Sequence, residues 1–167
     1  VSVDTTPDDS AAAHAALIER FYAALGRRDA PAMIACYHRD ATFGDPVFQA
    51  LDRDGVAAMW RMLCARGKDL AVTATGIHAD AMSGSAHWTA RYTYQATGRP
   101  VVNEIDAEFE FRDGLIVRHR DRFDLRRWLA QALGAKGALL GFLPAMQRAT
   151  RTRAAKTLAD WRAREHG

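Results

Sequence analysis

Val102-Asn103-Glu104-Ile105-Asp106-Ala107-Glu108-Phe109-Glu110-Phe111, followed by Leu115-Ile116-Val117-Arg118-His119-Arg120-Asp121-Arg122-Phe123, decides how this chain folds. In the first run Ile105, Ala107, Phe109 and Phe111 alternate with Glu104, Asp106, Glu108 and Glu110. In the second, Arg118, Arg120 and Arg122 take one parity, and Val117, His119, Asp121 and Phe123 take the other. A strand sends successive side chains to opposite faces. The two runs therefore read as a hairpin with one charged face and one apolar face. His119 and Asp121 stand on the apolar face, with Asn103 on the same parity. An ionisable pair there is costly unless it is hydrogen-bonded or used.

The connection Arg112-Asp113-Gly114 fits a three-residue loop with glycine in the left-handed position. That closure pairs Phe111 with Leu115 and sets Glu108 opposite Arg118, Asp106 opposite Arg120 and Glu104 opposite Arg122. Opposite charges facing across strands contribute roughly 0.2–1 kcal/mol each. A two-residue loop would shift the ladder by one and put arginines opposite the apolar row, so the three-residue loop is expected. The expected inner pairs are Ala107 with His119 and Ile105 with Asp121.

The remainder of the 167 residues supplies the layers around this hairpin. A helix is expected from about Asp9 to Leu25, with Leu17, Ile18, Phe21 and Leu25 as its apolar stripe. Asp29-Ala30-Pro31 starts a shorter helix ending near Tyr37, and Ala41-Thr42-Phe43 reads as a short strand. A third helix runs from about Arg53 to Ala65, capped by Asp52 and carrying Val56, Met59, Trp60 and Leu63. Strands follow over Asp69 to Ala79 and Ala86 to Gln95. Asp124 caps a helix from Leu125 to about Leu133, Gly134 to Gly141 reads as a loose apolar stretch, and Pro144 opens a last helix. Helices followed by an antiparallel meander make an α+β order. A curved sheet with helices on its concave side would enclose a pocket. The expected parts are a disordered lead (1–10), one α+β domain (11–134) and a C-terminal helical extension (135–167).

Composition narrows the class. The formal net charge is +3. From Pro144 onward six basic residues face two acidic ones, whereas the rest has 17 basic and 18 acidic. A neutral body argues against a nucleic-acid-binding domain. The tail's basic residues spread widely around a helical wheel, while Met146, Leu158 and Trp161 cluster. A surface helix docking on the body or on a second subunit is expected, with neither nucleic acid nor membrane as partner. No apolar run approaches the ~18 residues of a membrane-spanning helix, and the first ten residues lack the features of a secretory signal. Cys36 and Cys64 have neither pairing nor metal-ligand spacing, which suits buried thiols in a reducing, cytoplasmic setting. His14, His38, His78, His87 and His166 show no ligand spacing, so no metal or other cofactor is expected.

Three stretches carry a family resemblance: Ile18-Glu19-Arg20-Phe21-Tyr22-Ala23-Ala24-Leu25 with Arg28-Asp29; Ala41-Thr42-Phe43-Gly44-Asp45-Pro46-Val47; and Arg120-Asp121-Arg122-Phe123-Asp124-Leu125. Together they resemble the nuclear transport factor two-like superfamily, over roughly Ala12 to Leu133. The resemblance implies a cone-shaped curved antiparallel sheet wrapped around N-terminal helices, a cystatin-like α+β barrel. This chain adds a C-terminal helix. The second stretch is similar to the segment bearing the catalytic base of ketosteroid isomerase, which implies Asp45 as a proton carrier. That enzyme's oxyanion-hole tyrosine falls on Phe21, with Tyr22 adjacent, and its oxyanion-hole acid falls on Ala107. The third stretch is similar to the last strand of limonene epoxide hydrolase, where the matching Asp works with an arginine and a second carboxylate. Here Arg91 and Thr93 stand at the partner positions. His119 with Asp121 also matches the His/Asp pattern of SnoaL-type polyketide cyclases.

The resemblance implies cofactor-free acid/base chemistry on a small apolar carbonyl compound, as an isomerase or cyclase. Asp121, His119 and Asp45 are the catalytic candidates. Asn103, Tyr22, Trp88, Tyr92, Phe21 and Phe123 are the substrate-binding candidates. A homodimer is expected. The rival readings are an epoxide hydrolase, which needs Arg91 turned inward, and a non-catalytic ligand-binding or dimerisation module, which needs Asp121 neutralised by local hydrogen bonds.

Overall fold

The computed structural model describes residues 7–165. Its elements are α1 (Pro7–Gly26), α2 (Ala30–Ile34), β1 (Tyr37–Gly44), α3 (Arg53–Arg66), β2 (Ala71–Ala79), β3 (Ser83–Tyr94), β4 (Arg99–Arg112), β5 (Leu115–Arg122), α4 (Leu125–Leu133), α5 (Ala135–Leu140) and α6 (Pro144–Glu165). Helix α1 starts inside the stretch expected as a lead. Residues 1–6 of that lead, and His166, lie outside the described residues.

Side-chain caps fix the helix starts. The Asp29 carboxylate accepts from the Ala32 amide, with Pro31 in the first turn. Asp52 accepts from Gly55 and opens α3. Asp124 accepts from Arg126 and Arg127 and opens α4. Each cap satisfies amides that the helix leaves unpaired.

The five strands form one sheet in the order β1-β5-β4-β3-β2. Every neighbouring pair is antiparallel except β1 and β5, which run parallel. The sheet is therefore mixed, where the sequence suggested an antiparallel one. The reason is β1: the chain leaves it for α3 and β2, so β1 remains free to take the outer edge of β5. It is also longer than the short strand expected, and it begins at Tyr37.

The central hairpin keeps its expected faces but not its expected register. The loop is the two-residue turn Asp113-Gly114, with φ of 52° and 73°, and Arg112 pairs with Leu115. Both left-handed residues suit the tight turn that matches strand twist. An irregularity next to Val117 then shifts the ladder, so Phe109 faces His119, Ala107 faces Asp121 and Glu108 faces Arg120. One extra residue restores the charge pattern that a two-residue loop would otherwise scramble. Arg118 reaches Glu110 at 2.8 Å and Arg122 reaches Glu108 at 3.0 Å.

Similar irregularities in the β1–β5 and β2–β3 pairings help the sheet to curl. Its concave face carries Phe43, Ala86, Trp88, Ile105, Ala107, Phe109 and Ile116, all buried. Helix α1 packs across β2 and β3, and α3 lies against β1. The approach of α1 is close. A Cβ at Gly84 would come within 2.8 Å of Ile18 Cδ1 and 3.0 Å of Phe111 Cζ, so only glycine fits there. Leu17, Ile18, Phe21, Tyr22 and Leu25 of α1 complete the core. The C-terminal extension forms two helices, α5 and α6, with α5 lying where the sequence suggested a loose stretch. Helix α6 packs on α3, burying Leu158.

Candidate active site

Strand β5 delivers His119 and Asp121 to the concave face, where they are 1% and 4% exposed. His119 Nε2 lies 2.9 Å from Asp121 Oδ1. On the other side of the ring, Nδ1 lies 2.7 Å from the Tyr37 hydroxyl. Tyr37 in turn accepts from Trp60 Nε1 at 3.0 Å. Four residues from three elements thus form one buried chain.

Donor accounting sets the direction of this chain. An indole N–H can only donate, so the Tyr37 oxygen accepts from Trp60. Its single hydrogen then goes to His119 Nδ1. Burial pushes the Tyr37 hydroxyl well above its ordinary range, with the Asp121 charge adding to the shift, so it keeps that hydrogen. His119 is left as the Nε2–H tautomer, donating to the Asp121 carboxylate. The ring is caged by Phe109, Phe43 and Phe21, with centroids at 4.5, 5.0 and 5.5 Å. The cage fixes its plane and excludes water.

Asp45 follows β1 in a tight turn. Its Oδ1 accepts from the amides of Val47 and Phe48, both at 2.6 Å. Burial nevertheless pushes its carboxyl up to about 7. The two amide bonds oppose that rise, and the Asp121 charge adds to it while His119 offsets part. The carboxylates of Asp45 and Asp121 therefore act on one another.

The remaining candidates divide. Tyr22 is buried against Trp88, with ring centroids 5.6 Å apart. Neither the Tyr22 hydroxyl nor the Trp88 indole nitrogen has a hydrogen-bond partner. Burial raises the Tyr22 hydroxyl far above its usual range, and the negative charge of Asp121 raises it further. Asn103 is buried beside Ala90, one inward position beyond Ile105. Tyr92 accepts from Trp128 Nε1 at 2.7 Å, and Phe123 is half-buried at the edge of the core. Phe21 is a wall of the His119 cage and offers nothing polar.

Arg91 is exposed on the convex face, because its parity is opposite to that of Trp88 and Ala90. Thr93 also turns outward and bonds Asp69. The arginine-carboxylate set of an epoxide hydrolase is therefore not assembled. Two clefts adjoin the segment from Thr42 to Asp52. The first, of about 300 Å³, runs along Thr42, Phe43, Gln49, Leu51 and Arg120 and reaches His119. A second, of about 390 Å³, lies between Phe48, Leu51 and helix α6. Neither is lined by Asp45, Asp121, Asn103, Tyr22 or Trp88. Asp121 is buried, whereas Asp45 is partly exposed. Among the described residues no group of His, Cys, Asp or Glu is arranged to hold a metal ion.

Tyr37 and Trp60 were not singled out by sequence reasoning. Tyr37 reads as the end of a helix and Trp60 as one residue of an apolar stripe. The one signal was that both are aromatic residues with a polar handle, which seeks a partner when buried.

The sequence profile of the SnoaL-like domain matches residues 18–119. The chain belongs to the SnoaL-like domain family. That match ends within β5, so α4, α5 and α6 lie beyond it. Among solved structures, the SnoaL-like chain is similar to IdmH of Streptomyces antibioticus, provisionally assigned as a polyketide cyclase. The two are 25% identical with a TM-score of 0.61, over 73% of this chain and 99% of that one. An LEH-like epoxide hydrolase of M. tuberculosis shares the fold at 20% identity and a TM-score of 0.60, covering 80% of this chain and 98% of its own. So does a hypothetical protein with a ketosteroid isomerase-like fold from Catenulispora acidiphila, at 16% identity, a TM-score of 0.61, and coverage of 70% and 91%. No protein of curated function matches the chain in sequence. The α+β fold with its curled sheet is thus shared with a ketosteroid isomerase-like fold.

Proposed function

We propose that this SnoaL-like protein is a cofactor-free acid/base enzyme that isomerises or cyclises a small apolar carbonyl compound. The observation that carries the reading is the buried Trp60–Tyr37–His119–Asp121 chain. It holds one carboxylate, oriented by a histidine N–H, on the concave face of the sheet. Asp121 is the base that removes a proton next to the carbonyl and returns it. His119 orients Asp121 and stabilises its charge. Asp45, which keeps its proton up to about pH 7, is the second carboxyl and a donor to the carbonyl oxygen.

Tyr22 and Trp88 support a ligand in this space. A buried donor without a partner costs roughly 1–3 kcal/mol. Two such donors side by side are accounted for by a bound oxygen that accepts from them. Asn103 is a further polar anchor, with Tyr92 and Phe123 at the rim. Burial of Asp121 keeps water from the enolate that forms beside it.

A thermal-shift screen of small ketones, polyketide fragments and epoxides, on wild type and Asp121→Asn, tests the reading. It expects a carbonyl ligand that stabilises both forms and is turned over by wild type only. Stabilisation without turnover in either form would instead favour the binding-module reading, which the hydrogen-bonded Asp121 also suits.

A further inference from the structure

Helix α5 is packed inside out. Its glycines face the protein: Gly137 lies against the Leu129 carbonyl with no room for a Cβ, and Gly141 is buried against Leu129. Its large apolar side chains face solvent. Leu139 is 70% exposed and Leu140 39%, and in the turn that follows Phe142 is 55% and Leu143 37% exposed. The backbone contact at Gly137 fixes this orientation, so the leucines cannot roll inward without separating α5 from α4. Scattered apolar residues on a surface need no explanation, but a contiguous group does.

The charged residues of α4, α5 and most of α6 are all of one sign. From Leu125 to Ala159 there are seven Lys and Arg residues and no Asp or Glu. Arg126 lies 6.0 Å over the Phe142 ring. Arg127, Lys136 and Arg148 are exposed on the same three helices. A second copy is a poor cover for the patch, because a twofold contact would press this basic ring against itself. An anionic, apolar-cored surface meets both features at once.

We propose that the α5–α6 corner docks on an anionic lipid surface, with Leu139 and Phe142 entering the acyl boundary and Arg126, Lys136 and Arg148 meeting the headgroups. The basic tail alone argues for a helix resting on the body or on a second subunit, because its charges spread around the wheel. The exposed apolar corner, which the sequence showed only as a loose stretch, gives those charges a direction. Each basic residue held near such a surface adds about fivefold to affinity, and buried apolar side chains anchor it.

The test is co-sedimentation of the full chain with vesicles of mixed phosphatidylcholine and phosphatidylglycerol, against phosphatidylcholine alone, at low and high salt. Wild type is expected to pellet with the mixed vesicles at low salt and to stay in solution with phosphatidylcholine. Two double variants are compared, Leu139→Ser with Phe142→Ser, and Arg126→Glu with Lys136→Glu. All four side chains are solvent-exposed, and circular dichroism checks the fold. Both variants are expected to lose at least about tenfold in bound fraction. The proposal is overturned if wild type does not pellet, or if only the charge variant loses binding, which marks plain electrostatic adsorption. It is also overturned if wild type is a dimer that Leu139→Ser with Phe142→Ser converts to monomer. Binding to polyglutamate as tight as to vesicles assigns the surface to an acidic polypeptide instead.

Discussion

Replacing Asp45 by asparagine should stabilise the protein at alkaline pH and much less in acid. The asparagine oxygen can still accept the amides of Val47 and Phe48, so the turn survives. What disappears is the ionisation of a buried carboxyl. In the folded chain that group titrates at about 7, against 3.8 for an ordinary aspartate. Between those values the folded chain still holds a proton that the unfolded chain has released, so stability falls as pH rises through the window. At about 1.4 kcal/mol per pH unit the shift sets a ceiling of about 4 kcal/mol. The partial exposure of Asp45 reduces this to about 2 kcal/mol. Urea unfolding of wild type and Asp45→Asn at pH 5 and pH 8.5 measures it. The variant should be the more stable at pH 8.5 by that amount and by a little over a third of it, under about 1 kcal/mol, at pH 5, where the unfolded chain has begun to release the proton. An equal difference at both pH values would refute the reasoning, because it would locate the effect in packing and not in ionisation.

Tyr37→Phe leaves Trp60 Nε1 and His119 Nδ1 without their shared partner and should cost about 1–3 kcal/mol by denaturant unfolding. An unchanged midpoint would show that the chain does not bear on stability. Arg151→Ala removes the bond from α6 to the Pro46 carbonyl, 2.9 Å long. Amide exchange in residues 46–51 should then quicken roughly fivefold while β4 is unaffected, and uniform exchange would contradict this. Gly84→Ala drives a methyl group into Ile18 and Phe111, and a loss of about 1–3 kcal/mol is expected from overpacking. A neutral result by thermal unfolding would mean that α1 can slide.

What the sequence disclosed follows from which forces act locally. Glu104 to Glu110 against Arg118 to Arg122 fixes the two faces of the hairpin, because parity depends on single residues. The pairing register depends on the sum of turn and bulge, and nothing at Val117 marks the extra residue. His119 and Asp121 were legible as an anomaly on an apolar face. Their link to Tyr37 was not, since it joins residues 82 positions apart across a parallel pairing that no local pattern specifies. Asp45 was legible through the family resemblance, whereas its raised titration comes from burial by distant elements. The exposure of Leu139 and Phe142 was hidden for a similar reason: an apolar run looks buried until Gly137 is seen to occupy the contact.

The central claim is that Asp121, oriented by His119, moves a proton at carbon. The most direct measurement is deuterium exchange next to the carbonyl of a bound small ketone, followed by proton NMR in deuterated buffer, with wild type and Asp121→Asn. The account predicts catalysed exchange by wild type and its loss in the variant, with ligand binding retained. Exchange at the same rate in both proteins would contradict it.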